Sequence, residues 1–297
     1  MSMVRAGPLI DGRRALTCGT LAYQRAVAAS EIYATVVLIH GNSARGSIFS
    51  FQIDELRSEG FGVLVPDLPG HGASEDASTP DAVYSFPGYA AVVRELIDDL
   101  VRTPVILVGW SLGGHIALEL LSHYTRDSAD RCLGVMVFGT PPVAPSAAAL
   151  AAAFHVGDDM NYAGKAEFTD ADVRAYADLL VSSGLEDRGP LYEMVRRTDG
   201  RARETMLRLG LSGVGVDQVD ALRRSSVPVA IVHGADDPFV RFDYLAQLPT
   251  ETLWQKRVHV IDRAGHAPHV ACSADFNRLL TSYCIGRLQP SLPQSRK

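Results

Sequence analysis

The stretch VILVGWSLGGHIALEL, residues 105–120, decides the fold. It begins as a continuous run of β-branched and aliphatic residues and stops at Gly109. After Ser111, Gly113 and Gly114 it resumes with helical spacing. A strand turning tightly into a helix around a serine fits the pattern G-x-S-x-G, here GWSLG at 109–113. Residues flanking such a turn approach each other closely, and a side chain there would clash. The turn lifts the serine hydroxyl above the strand end, where the N-terminus of the following helix favours developing negative charge. The stretch alone leaves two readings open: Ser111 as a nucleophile, or as a small polar residue in a packing turn.

The rest of the chain repeats the strand-then-helix rhythm. ATVVLIHG (34–41), FGVLVPD (61–67), PVILVGW (104–110), CLGVMVFGT (132–140), VPVAIVHG (227–234) and RVHVID (257–262) read as strands. Most are continuous rather than alternating, which suggests strands covered on both faces, as in a parallel sheet. Between them, GYAAVVRELIDDLV (88–101), LGGHIALELLSHY (112–124) and SADFNRLLTSYCIGRL (273–288) read as helices. The alternation predicts an α/β class and a mostly parallel, doubly wound sheet. Residues 1–30 are expected to add an antiparallel hairpin at one edge, and the tail QPSLPQSRK to fray.

One interval breaks the rhythm. Residues 141–226 separate two late strands, too long a span for a bare loop. TDADVRAYADLLVSSG (169–184) reads as a helix with Thr169 as N-cap and Gly184 as stop. PLYEMVRR (190–197), ARETMLRLG (202–210) and the alanine-rich SAAALAAAF (146–154) also read as helical. The expected organisation is a core of residues 1–140 and 227–297 with a helical cap of residues 141–226.

Composition narrows the function classes. The chain has 297 residues, 47% hydrophobic and 21% charged, as in a globular protein with a sizeable core. A net charge of −6 argues against nucleic acid as a partner. Cys18, Cys132, Cys272 and Cys284 form no C-x-x-C pair and no zinc-ligand spacing, which fits free thiols in a reducing compartment. The first residues lack a signal-peptide apolar run, and no segment approaches the roughly 20 apolar residues of a membrane span. These features predict a cytoplasmic monomer or homodimer, without membrane partner, metal or cofactor.

A serine nucleophile needs a base, and on this architecture the chain order is serine, acid, histidine. HGADDPF (233–239) follows a strand and offers Asp237, with Asp236 as competitor; DRAGHAPH (262–269) follows the last strand and offers His266, with His269 as competitor. As bland alternatives, Asp237 would be a turn carboxylate and His266 a surface-loop histidine. An oxyanion needs donors. LIHGNS (38–43) bends after a strand, so the backbone amides of Asn42 and Leu112 are the candidates. His40, His71 and His115 read as structural. Phe49, Phe51, Met160, Tyr162, Phe168 and Tyr176 are candidate walls of an apolar groove, with Trp110 beside the nucleophile, although most such aromatics are core by default.

Together HGNS, PDLPGHG, GWSLGGH, GTPP and AGHAP resemble the α/β-hydrolase superfamily over about residues 35–285. Ser111 in the elbow argues against relatives with an aspartate nucleophile. HGNSARGSIF, GWSLGGHIALEL, RTDGRAR (197–203), DDPFV and HVIDRAGHAP are further similar to metal-independent bacterial N-acyl-homoserine lactone lactonases. That resemblance implies quorum quenching by opening the lactone ring, with Ser111 as nucleophile, His266 as base and Asp237 as acid. It also implies that the Asn42 side chain positions the ester or the reacting water, and that Tyr176 reaches the substrate from the cap. The sequence departs from the family's pattern in carrying aspartate for glutamate at 237, and histidine at 269 where an apolar residue is expected. Residues 144–165 and 184–190 align poorly. A small-molecule ester or lactone is the expected substrate. A general carboxylesterase, a carbon–carbon bond hydrolase and a hydrolase-derived receptor are the alternatives.

Overall fold

The structure, a computed structural model, describes residues 6–30, 33–123, 131–155 and 157–288, without the side chains at 158 and 159. The expected fraying tail and the last residue of the helix expected over 112–124 lie outside them. Strands β1 (Ile10–Leu16) and β2 (Gly19–Ala26) form an antiparallel hairpin whose turn contains Gly19. β1 is mostly exposed, as suits an edge strand. The chain then enters the sheet centre with β3 (Thr35–Ile39), α1 (Ser50–Ser58), β4 (Gly62–Pro66), α2 (Pro80–Val83) and α3 (Phe86–Leu100). Next come β5 (Val105–Trp110), α4 (Leu112–Leu121) and β6 (Cys132–Phe138).

Among the described residues, six α-helices lie between β6 and the next strand: α5 (Ala147–Ala153), α6 (Asp158–Asn161), α7 (Asp170–Leu180), α8 (Gly189–Arg197), α9 (Gly200–Leu211) and α10 (Gln218–Arg224). The sheet then resumes with β7 (Val229–Gly234), α11 (Phe242–Leu245), β8 (Leu253–Ile261), α12 (Pro268–Ala271) and α13 (Ser273–Leu288).

The strand order is β1-β2-β4-β3-β5-β6-β7-β8, parallel from β4 to β8. Every residue of β3, β4, β5 and β7 is buried, because α3 and α4 cover one face and α1 and α13 the other. Two-sided burial explains the unbroken Val/Ile/Leu runs, each such side chain contributing about 1.5–3 kcal/mol. β8 is exposed or half-buried at six of its nine positions, as suits the other edge.

Inside the segment between β6 and β7, Thr169 caps α7 as the sequence predicts. Its hydroxyl accepts from the Asp172 N–H at 3.2 Å, and the Asp172 carboxylate accepts from the Thr169 N–H at 2.7 Å. The helix ends at Leu180, not at Gly184. The Arg188 guanidinium takes the Val181 carbonyl there, so the chain need not continue helically to satisfy it. α10, unforeseen in the sequence, packs on α4 in the helical layer of the sheet.

Candidate active site

Ser111 sits between β5 and α4 with φ 53° and ψ −118°, a conformation costing about 1–3 kcal/mol for a residue with a side chain. The surroundings fix it. Its N–H donates to the Phe138 carbonyl at 3.0 Å, and its carbonyl accepts from the Gly114 N–H at 2.9 Å and the Thr140 hydroxyl at 2.9 Å. A Cβ at Gly109 would collide with the Gly113 carbonyl, and one at Gly113 with the Ile39 carbonyl. The glycines are required by main chain packed against main chain.

Asp237 follows β7 and His266 follows β8. The His266 Nδ1 donates to the Asp237 carboxylate, 3.0 and 3.1 Å from its two oxygens. Both side chains are almost wholly buried. Burial acts to raise the Asp237 pKa. The His266 charge, their hydrogen bond, and the N–H groups of Phe239 (2.8 Å) and Val240 (3.1 Å) outweigh it and hold the carboxyl below its usual value. The carboxylate therefore fixes the ring with Nδ1 protonated and Nε2 as the basic nitrogen. The competitors lie elsewhere. Asp236 is exposed. His269 is enclosed by Trp110, Phe49 and Phe138 at centroid distances of 4.9–5.1 Å, with neither ring nitrogen hydrogen-bonded among the described residues. Burial pulls the His269 pKa down to about 3, so it behaves as one more aromatic of the core.

Ser111, Leu112, Asn42 and His266 line one cavity of about 440 Å³. The opposite walls come from the segment between β6 and β7: Leu150, Phe154, Met160, Tyr176, Met206 and Leu207 among others. No Asp, Glu, Lys or Arg side chain lines it among the described residues. The backbone N–H groups of Asn42 and Leu112 meet no acceptor among the described residues, so both remain free to donate. The Asn42 side-chain amide donates to the Ala163 carbonyl at 3.0 Å and to the Tyr176 hydroxyl at 3.4 Å.

Five expected wall residues require correction: Phe49, Phe51, Trp110, Tyr162 and Phe168. Phe49 is fully buried against Phe138 and His269, and does not reach the cavity. Trp110 is fully buried too, and its indole N–H donates to the His266 carbonyl at 2.8 Å. Both lie beneath the strand ends, where they support the loops around the cavity. Phe51 is exposed on α1. Tyr162 and Phe168 are absent from the wall and pack against Tyr176, at 5.9 and 5.7 Å between centroids. Sequence reasoning missed Phe86, Phe154, His155 and Phe239, as well as His115, which it read as packing. His115 was within reach of the signal: it lies four residues past Ser111, at the start of the helix that the turn opens.

The RTDGRAR stretch fastens this segment to the loops after β3 and β4 and to the α2–α3 junction. Arg197 pairs with Asp76 at 3.0 Å and donates to the Ser74 carbonyl at 2.8 Å. Asp199 accepts from the Tyr84 hydroxyl at 2.7 Å, while its N–H donates to the Gly70 carbonyl at 2.8 Å. Arg203 is buried. It donates to the Lys165 and Ala166 carbonyls (2.7 and 3.0 Å) and to the Ser43 hydroxyl (3.3 Å), and its guanidinium lies 4.0 Å over the Phe168 ring.

A strained serine after a central parallel strand, with a buried carboxylate–histidine pair after two later strands, defines a hydrolase of the α/β class. The chain belongs to the α/β-hydrolase family, whose sequence profile matches residues 36–279. It is similar in structure to a glutamate-to-glycine variant of the N-acyl homoserine lactonase AidH solved with N-hexanoyl homoserine, with 36% identity, TM-score 0.87 and coverage of 96% of this chain and 99% of that one. A serine-to-glycine variant of that lactonase, solved with N-hexanoyl homoserine lactone, matches at TM-score 0.86, with 36% identity over 94% and 98% of the two chains. Among curated proteins, the pimeloyl-(acyl-carrier protein) methyl ester esterase of Chromobacterium violaceum is 28% identical over 84% of this chain and 93% of its own length. Other curated relatives are longer: the chain spans 57% of the human protein ABHD8, at 26% identity. No helix among the described residues is long and apolar enough to cross a membrane.

Proposed function

We propose that the protein opens the ring of N-acyl-homoserine lactones, and that residues 141–226 supply a cap that selects the acyl chain. One observation carries the reading: Ser111 and His266 open into an apolar cavity without a charged side chain among its described walls. Such a cavity suits a neutral ester with a hydrocarbon tail, and disfavours anionic or cationic substrates. The likeness to AidH supports it.

In the proposed mechanism Ser111 Oγ attacks the lactone carbonyl while His266 Nε2 takes the hydroxyl proton. The electron pair of the carbonyl moves to its oxygen, where the Asn42 and Leu112 amides hold the oxyanion. Collapse breaks the ring C–O bond, and His266 returns the proton to the departing alkoxide. The opened chain remains an acyl ester of Ser111. Water, deprotonated by His266, adds to that ester, and collapse releases the N-acyl-homoserine and restores Ser111. Asp237 steadies the imidazolium through Nδ1. Asn42 and Tyr176 orient the lactone from above.

The test is mass spectrometry of reaction products from hexanoyl- and dodecanoyl-homoserine lactone. The reading expects a gain of one water, about 18 Da, with the acyl chain retained. Release of the free fatty acid overturns it in favour of an acylase. Inert lactones with rapid turnover of p-nitrophenyl acetate overturn it in favour of a general carboxylesterase.

A further inference from the structure

His115 lies four residues after Ser111 in α4. It is 5% exposed, yet it lines the cavity. One face of its ring stacks on Phe86, with centroids 4.7 Å apart and planes within 15°. Phe154 stands 6.2 Å away, so the ring meets an otherwise apolar part of the wall.

Its hydrogen bonding is directional. Nδ1 is 2.9 Å from the Gln218 Oε1. The Gln218 amide is itself oriented: Oε1 accepts from the Val143 N–H at 3.3 Å, and its NH₂ end faces the buried Glu119 carboxylate. An amide oxygen can only accept, so Nδ1 must carry the proton. Burial outweighs the Gln218 hydrogen bond and pulls the His115 pKa down to about 4, keeping the ring neutral at neutral pH. Nε2 therefore holds a lone pair on a ring that lines the cavity, and the hydrogen bond to Gln218 among the described residues leaves it free by engaging Nδ1.

We propose that His115 Nε2 is a specificity-determining acceptor that reads a hydroxyl on the β-carbon of the substrate's acyl chain. This rests on the lactonase reading of the site. His115 lies at the start of α4, four residues beyond Ser111, and both line the cavity, so Nε2 meets the part of the acyl chain nearest the lactone. The β-carbon, two bonds beyond the amide carbonyl, lies in that part. An unsubstituted chain leaves the lone pair unpaired, and a β-keto oxygen opposes it with another lone pair.

The experiment compares kcat/KM for hexanoyl-, 3-hydroxyhexanoyl- and 3-oxohexanoyl-homoserine lactone. The expected order is hydroxy, then unsubstituted, then oxo, with the hydroxy chain favoured over the unsubstituted one by about 3- to 10-fold, the yield of one neutral hydrogen bond. His115→Phe keeps an aromatic ring for the Phe86 stack and should bring that ratio close to one. Gln218→Leu, away from the cavity wall, frees the tautomer and should narrow the gap between hydroxy and oxo chains. Equal rates for hydroxy and unsubstituted chains in the wild type, or an unchanged ratio in His115→Phe, overturn the inference and leave the lactonase reading standing. If none of the three lactones opens, the lactonase reading itself fails.

Discussion

The loops at the strand ends and the segment between β6 and β7 face each other across one cavity, and they are held by different forces. Around Ser111, backbone is packed against backbone: added Cβ atoms at Gly109 and Gly113 would strike carbonyl groups, not side chains that can swing away. Across the cavity, the segment is held by the side chains of Arg197, Asp199 and Arg203, reaching to Asp76, Ser74, Tyr84 and Ser43. Most of its cavity-facing residues are ordinary apolar ones. Ser111 thus sits in a rigid frame, whereas the apolar residues across the cavity are exchangeable without disturbing it.

The sharpest break in this comparison comes from the frame. Ser111→Ala should lower kcat by about 10³-fold or more while leaving the melting temperature near that of the wild type. Retained turnover would mean that water attacks directly, with His266 as base. Gly113→Ala should cost more than about 3 kcal/mol in urea unfolding, because its methyl must displace the Ile39 carbonyl of a central strand. If it costs less than 1 kcal/mol, the frame is softer than its packing implies.

The other side of the comparison is tested by Arg203→Met. It leaves the Lys165 and Ala166 carbonyls without their donor and should cost about 1–3 kcal/mol. Activity should fall through a higher KM for hexanoyl-homoserine lactone, with kcat within about threefold, since the substitution loosens the cavity wall. A selective fall in kcat would instead place Arg203 in the chemistry, through Ser43 and the adjacent Asn42 amide.

Acid offers the gentlest probe. His71, His115 and His269 are buried on the sheet side, with pKa values pulled down by burial to about 3, 4 and 3. In the unfolded chain each returns to about 6.5, so between these values the unfolded state binds more protons. Stability should fall as pH drops below about 6.5, by about 1.4 kcal/mol for each such histidine at pH 5.5. Calorimetry from pH 7.5 to 5.5 measures it, and a flat melting temperature would contradict the neutral burial of these rings.

The same contrast explains what the sequence could and could not say. The buried strands were legible because two-sided burial demands unbroken apolar runs, and so was the placement of Ser111, Asp237 and His266, each just after such a run. The elbow glycines were legible because a main-chain collision admits no other residue. The cavity wall was not. Phe49 and Trp110 carry the same aromatic signal as Tyr176, yet they lie beneath the loops, and only the three-dimensional path of residues 147–211 decides which aromatics meet the cavity. His115 resembled a packing residue because its role depends on Gln218, 103 positions away.

Arg203 has a consequence for how such a protein can change. Its guanidinium joins the carbonyls of Lys165 and Ala166 to Ser43, next to the proposed oxyanion donor. A library intended to reshape the cavity can therefore randomise positions 150, 151, 154, 206 and 207 together, provided this one arginine stays fixed. With it held constant, differences between clones report the new wall; with it varied, they are confounded by a loosened segment.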